Sequence, residues 1–269
     1  RTMNPISTFS LALIVIVGLS LTGLPVAYSM IGGSILYLFA AGLDMGTAAE
    51  QLLNGMMGSQ LLLAIPLFIL AAEFMNTGSI MDRLLRFCNA IVGRFRGGLA
   101  QVNVVQSIIF ASMSGSALAD AAASGKLMQS LMTRDGKYTP AYAAALTTVS
   151  SVIGPILPPS IPLVLYALVS DTSVGYLFLG GVVPGLLLGI VQSGLIAFTA
   201  KRRNFPVEER VPLRDLPRIT GQAFPALMMP VILLGCLYGG ITTPTEAAAV
   251  AAAYALLISA VLYRSVRLK

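Results

Sequence analysis

Seven apolar runs of near-bilayer length constrain this chain more than any other feature. They cover roughly residues 7–24, 25–42, 60–81, 140–170, 175–200, 224–242 and 245–263. Each is close to or above the ~20 residues with which an α-helix crosses hydrocarbon, whereas barrel strands would alternate over about ten residues. Of the 269 residues, 56% are hydrophobic and 10% charged, against roughly 25% charged in a soluble domain. The expected fold class is therefore an all-α integral membrane protein. No run reads as a removable signal peptide ahead of a soluble domain.

Composition also removes several chemistries. With no histidine, Ser-His and Cys-His catalysis and His metal sites are excluded. A serine protease would have only Lys126 as a base and has no Gly-x-Ser-x-Gly elbow. An aspartyl protease would need two intramembrane acids, and only Asp120 is well placed. Cys88 and Cys236 are read as small apolar residues, not a disulfide or metal pair. The formal charge of +6 is read as membrane orientation, with no nucleic-acid partner.

Of the 17 lysines and arginines, all but Arg1 and Lys126 fall in segments 82–99, 133–139, 201–222 and 264–269. The opposite loops carry Asp44, Glu50 and Asp171. The excess of cations on cytoplasmic loops places those four segments inside and the N-terminus outside, in the periplasm. Within 82–97, Leu84, Phe87, Ile91 and Phe95 share one helical face, while Arg83, Arg86, Arg94 and Arg96 avoid it. This segment is expected to lie flat in the interface. The more polar stretch 45–58 is also read as a surface element, and Thr22-Gly23-Leu24-Pro25 as a turn.

Two interruptions carry the chemistry. Residues 100–133 lie between two cytoplasmic segments, so they must cross twice or not at all. Their arms, about 100–113 and 117–132, flank "SGS", Ser114 to Ser116, and read as a re-entrant hairpin with its tip near mid-membrane. Such backbone persists there only inside protein or beside a wet cavity. In "TTVSSVIGPILPPSIPL", residues 147–163, Gly154, Pro155, Pro158 and Pro159 split one span into half-helices, about 139–151 and 159–169, joined by unwound chain. Helix C-termini near Ser114 and Ser151 present carbonyls that suit a hard cation such as Na⁺. N-termini near Ser116 and Pro159 suit an anionic substrate. Asp120, an acid at membrane depth, is a functional expectation by default, with Lys126 or the helix dipole as partner. Ser112, Ser124 and the four-residue repeat Gly181, Gly185, Gly189 are read as packing, and Thr243 to Glu246 as a helix cap.

"MSGSALADAAASG", "SSVIGPILPPSI" and "GGITTPTEAAAVAAAYAL" together resemble the large membrane subunit of tripartite ATP-independent periplasmic (TRAP) transporters, over the whole chain. The resemblance implies a bacterial inner-membrane, sodium-coupled importer of organic acids (C4-dicarboxylates, sialic acid or related carboxylates) that works by alternating access. It implies two partners, a small membrane subunit and a periplasmic substrate-binding protein. Na⁺ is the coupling ion and no other cofactor is implied. Matching motif to motif, sodium-binding roles fall to Ser114, Gly115, Ser116, Asp120, Ser150, Ser151 and Gly154. Substrate-facing roles fall to Ser116, Pro158, Pro159 and Ser160. The family's large subunit is longer, with a second, inverted half; this sequence corresponds to the first half of that inverted-repeat fold. Its expected divisions are a scaffold at 1–99, the hairpin at 100–133, the broken helix and next span at 134–200, and an arm with two spans at 201–269. The competing readings are another sodium–anion symporter with the same hairpin design, a channel, and a non-transporting membrane scaffold. An enzyme is not expected.

Overall fold

The computed structural model describes residues 5–57, 60–76, 78–203, 205, 207–208, 211–212 and 214–263. The chain forms two compact units, Arg1–Gln60 and Leu61–Lys269. In the first, α1 (Pro5–Leu21) and α2 (Val26–Ala41) run antiparallel and are followed by α3 (Gly46–Met57). Phe9 of α1 meets Tyr37 of α2 edge-on, with ring centroids 6.5 Å apart. The Asp44 carboxylate accepts from the Gly46 amide at 3.1 Å and so turns the chain into α3.

The second unit holds α4 (Ala64–Met75), α5 (Gly78–Val92), α6 (Gly98–Ser114), α7 (Ala117–Thr133), α8 (Pro140–Ser151), α9 (Ile161–Ser170), α10 (Val174–Arg203), α11 (Leu216–Tyr238) and α12 (Pro244–Leu257). One π turn, Ile258–Leu262, extends α12. Among the described residues no strand occurs, and three helices are long and apolar enough to cross a membrane: α10, α11 and α12 with its π extension. The apolar helices Val26–Ala41, Gly98–Ser114 and Ile161–Ser170 are shorter.

The expected span at 60–81 is two helices instead. α4 stops at Met75, where the Asn76 amide donates to the Ala72 carbonyl at 2.8 Å, and α5 begins at Gly78. Asparagine and glycine are weak helix formers, which locates the break. The amphipathic element also differs from expectation. Its buried face is Ile80, Met81, Leu84 and Cys88, packed on α6 and α11, while Ile91 and Phe95 are 41% and 51% exposed. Gly93 and the Gly97-Gly98 pair end the helix before Phe95, so the buried apolar stripe extends backwards from Leu84. The cap at the start of α12 is as expected. The Thr243 hydroxyl accepts from the Glu246 amide at 3.3 Å, and the Glu246 carboxylate accepts from the Thr243 amide at 2.7 Å. One face of α12 is alanine, with Ala248, Ala251 and Ala255 fully buried, and this lets α4 approach closely.

The glycine repeat of α10 packs: Gly181 and Gly185 on the interruption between α8 and α9, Gly189 on Ile108 of α6. A Cβ on Gly181 would sit 2.3 Å from the Ile156 carbonyl oxygen, and one on Gly185 2.6 Å from the Leu157 side chain. Gly181→Ala is therefore expected to displace backbone and lower the melting temperature of the purified protein, by about 1–3 kcal/mol of overpacking. Gly185→Ala meets only a side chain able to change rotamer, and its effect is expected to be smaller. Equal melting temperatures for the two variants would refute this difference.

The cation-bearing turns of this unit gather at one end. Lys137 pairs with Glu208 at 2.9 Å, the Glu208 amide donates to the Gly93 carbonyl at 3.2 Å, and the Phe205 ring lies 4.7 Å from that of Tyr138. Arg1, Arg210, Arg264, Arg267 and Lys269 fall outside the described residues.

Candidate functional site

Helices α6 and α7 form a hairpin whose connection is two residues, Gly115 and Ser116. The arms are longer than expected from sequence, each of 17 residues, or about 25 Å, still short of a ~30 Å hydrocarbon core. Gly115 closes α6 in the left-handed region, at φ +62°, with its amide on the Ala111 carbonyl at 3.1 Å. Ser116 then takes extended backbone, and its hydroxyl accepts from the Ala119 amide at 3.3 Å, capping α7. An apolar sequence turns sharply here because glycine accepts positive φ and serine replaces a missing backbone partner.

The interruption between α8 and α9 is less open than the sequence reading supposes. The amides of Ile153, Gly154 and Ile156 donate to the carbonyls three residues back, at 3.0–3.1 Å. The stretch is a run of tight turns as far as Leu157, so part of its carbonyl supply is used internally. Nor does α9 start at Pro159. Its cap is Ser160, whose hydroxyl accepts from the Leu163 amide at 3.3 Å and donates to the Pro155 carbonyl. The proline in the first turn is Pro162. Pro159 has no N–H, and Ser160 supplies the oxygen that the first turn of a helix requires.

The two interruptions meet. The Gly115 carbonyl accepts from the Ile161 amide at 3.4 Å. A Cβ on Gly115 would lie 2.2 Å from the Pro159 oxygen and 3.1 Å from the Ser160 Cα. A Cβ on Gly154 would lie 3.2 Å from the Ala117 amide nitrogen and 3.1 Å from the Ser151 oxygen. Ser114, Gly115, Ser116, Ser151, Gly154, Pro159 and Ser160 thus form one cluster, with the C-terminus of α6 and the N-termini of α7 and α9 in contact. Of the four residues expected to face substrate, Ser116 is partly exposed, whereas Pro158, Pro159 and Ser160 are buried. Ala117 and Leu118, whose amides have no partner among the described residues, extend the accessible surface beside Ser116. Free amides at a helix N-terminus suit an anion.

Asp120 and Ser150 sit one turn deeper, in a buried polar column through α6, α7 and α8. Asp120 is fully buried and accepts from the Ser124 hydroxyl at 2.7 Å. Beside it, Ser107 of α6 donates to the Ser150 hydroxyl of α8 at 3.1 Å. Asn103 donates to the Thr147 hydroxyl at 2.9 Å. One carboxylate oxygen of Asp120 and the amide oxygen of Asn103 are buried without a partner among the described residues. Lys126, expected as a partner for Asp120, is exposed and forms no ion pair with it. Sequence reading did not single out Asn103, Ser107 or Thr147, and it read Ser124 as packing. The available signal was polar residues one turn apart, 103 with 107 and 120 with 124, on otherwise apolar helices.

Comparison with known proteins decides the family. The family described as "Tripartite ATP-independent periplasmic transporter, DctM component" matches residues 13–269. The chain belongs to this family. It is 41% identical over 256 residues to the C4-dicarboxylate TRAP transporter large permease protein DctM of Vibrio cholerae, covering 95% of this chain and 56% of that protein. It is 40% identical to the sialic acid TRAP transporter large permease protein SiaM of the same species, over 94% of this chain and 59% of the relative. It is 38% identical to the 2,3-diketo-L-gulonate TRAP transporter large permease protein YiaN of Escherichia coli, over 90% and 57%. These relatives are named as permeases, not enzymes. The chain spans a little over half the length of each of them.

Proposed function

We propose that this chain is the first half of the membrane-spanning large subunit of a sodium-coupled secondary transporter for organic acids. The contact between the hairpin tip and the α8–α9 turns, joined through Gly115, Gly154 and Ser160, carries the reading. It sets carbonyl-bearing and amide-bearing helix ends side by side at the middle of apolar helices. Na⁺ prefers hard oxygen donors, and no cluster of three acids occurs among the described residues. The ion is held by main-chain carbonyls near Ser114, Gly115, Ser151 and Gly154, with serine hydroxyls assisting. Asp120 and Ser150 supply charge and polarity from below. The substrate carboxylate meets Ser116 and the free amides that follow it; Pro158, Pro159 and Ser160 shape that surface from beneath.

The hairpin is re-entrant, its outer ends cytoplasmic with the gathered cations and its tip at mid-membrane. The N-terminus is periplasmic, and the membrane is the bacterial inner membrane. The second half of the subunit completes the site, and alternating access moves it across the bilayer. A periplasmic binding protein delivers the acid and a small membrane subunit flanks the large one. The relatives' substrates, C4-dicarboxylates, sialic acid and 2,3-diketo-L-gulonate, are all organic acids, which supports this substrate class.

The test is uptake by the complete large subunit with its partners in proteoliposomes, titrated with Na⁺ at fixed substrate. Ser116→Ala is expected to raise the half-saturating Na⁺ concentration by roughly three- to tenfold, the scale of one lost neutral contact. A wild-type sodium curve for this variant, or uptake without Na⁺, would overturn the reading.

A further inference from the structure

At the cation-rich end, far along the hairpin arms from the tip, the second unit has a half-open cavity of about 310 Å³. Its polar wall is Arg86 and Asn89 of α5, Arg134 and Lys137 after α7, and Glu208 beyond α10; leucines of α5, α6 and α7 form the rest. Glu208 is the one carboxylate among the lining residues and is paired with Lys137 at 2.9 Å, both partly buried. Neither Arg86 nor Arg134 has an ion pair among the described residues. Two exposed arginines, unpaired among the described residues, thus line one cleft from segments 48 positions apart in the chain (86 to 134). Like charges held together raise the free energy of the empty site and favour an anion between them. The planar fork of arginine matches the oxygens of phosphate, which it grips through paired hydrogen bonds.

We propose that this cavity binds a phosphate-bearing anion between Arg86 and Arg134, presented either by an anionic phospholipid headgroup or by a soluble phosphorylated solute. The bound phosphate clamps α5 to the outer end of the hairpin, alongside the Lys137–Glu208 pair. The site is separate from the ion site at the tip and does not depend on any transport reading.

The experiment measures thermal unfolding of the complete large subunit with its partners in phosphatidylcholine nanodiscs. One arm replaces part of the lipid with phosphatidylglycerol; the other adds inorganic phosphate or glycerol 3-phosphate to phosphatidylcholine alone. Native mass spectrometry of the wild type reads retained phosphatidylglycerol directly. Stabilisation and retention with phosphatidylglycerol alone assign the lipid source, and stabilisation by the soluble phosphates assigns the other. Arg86→Gln with Arg134→Gln is expected to weaken either response by roughly ten- to thirtyfold in apparent affinity, the scale of two cations near a headgroup. Arg86→Lys with Arg134→Lys keeps the charge and should lose less. Arg94→Gln with Arg202→Gln removes equal charge outside the cavity and should respond like wild type. The proposal is overturned by a wild type that neither retains phosphatidylglycerol nor responds to phosphate. It is equally overturned by a control double variant that loses as much as the cavity variant.

Discussion

Gly115→Ala is expected to abolish most sodium-driven uptake, and Gly115→Val all of it. Two independent costs fall on this position. A side chain at φ +62° costs about 1–2 kcal/mol from left-handed backbone alone. The new Cβ would also lie 2.2 Å from the Pro159 carbonyl, a distance that only backbone movement relieves. The tip would be forced from the start of α9, and the Gly115–Ile161 hydrogen bond would break. Gly136→Ala separates the two costs. Gly136 has φ +67° with open space around its Cβ position, so that variant carries strain without collision and should keep wild-type sodium dependence. Gly154→Ala, whose contacts of 3.1–3.2 Å need a shift of a few tenths of an ångström, should fall between. The measurement is uptake in proteoliposomes together with melting of the same preparations. Wild-type uptake and sodium activation in Gly115→Ala would show that the tip need not touch the α8–α9 turns.

Asp120→Asn is expected to shift sodium activation upward by about tenfold or more while leaving the protein folded. A buried, ionised carboxylate needs a compensating cation or proton. Among the described residues no lysine or arginine pairs with Asp120, one of its oxygens has no partner, and only the Ser124 hydroxyl donates to the other. Hydrogen bonds and contacts to charged groups are worth about 1.5–3 kcal/mol, which sets the tenfold scale. Asn keeps the size and one acceptor, so Ser124 stays bonded. Asp120→Ala leaves the Ser124 hydroxyl only the main-chain carbonyl of residue 120 and should cost an additional ~1–3 kcal/mol in stability. The discriminating readout is the sodium half-saturation of the Asn variant at fixed substrate. A curve superimposed on wild type would confine Asp120 to its contact with Ser124 inside α7.

The features legible in the sequence are those with local causes. Apolar run length specifies helices, and Gly115 with Ser116 specifies a turn because the chain there has a residue tolerant of positive φ followed by a good cap. The prolines at 155, 158 and 159 interrupt the next span because they lack an N–H, and Thr243 with Glu246 announces a helix start by side-chain chemistry alone. Each of these follows from residues within one or two turns of each other, so a linear reading finds them. Where a local signal is weaker, boundaries move. The helix after Gly78 ends early because Gly93, Gly97 and Gly98 outweigh an apolar stripe that continues in sequence to Phe95, and α9 begins at Ile161 because Ser160, not Pro159, caps it. What only tertiary structure decided is which of these local features face one another. Gly115 meets Pro159 and Ser160 across 44 positions (115 to 159), and Gly181 meets the Ile156 carbonyl. Ser107 and Asn103 of α6 find Ser150 and Thr147 of α8. The rotation of each helix about its axis is set by the sum of many small packing contacts and by how closely glycine and alanine let backbones approach. That sum is non-local. The sequence therefore names the hairpin, the break and the acid, while the packed structure determines which carbonyls remain free and which oxygen is left without a partner.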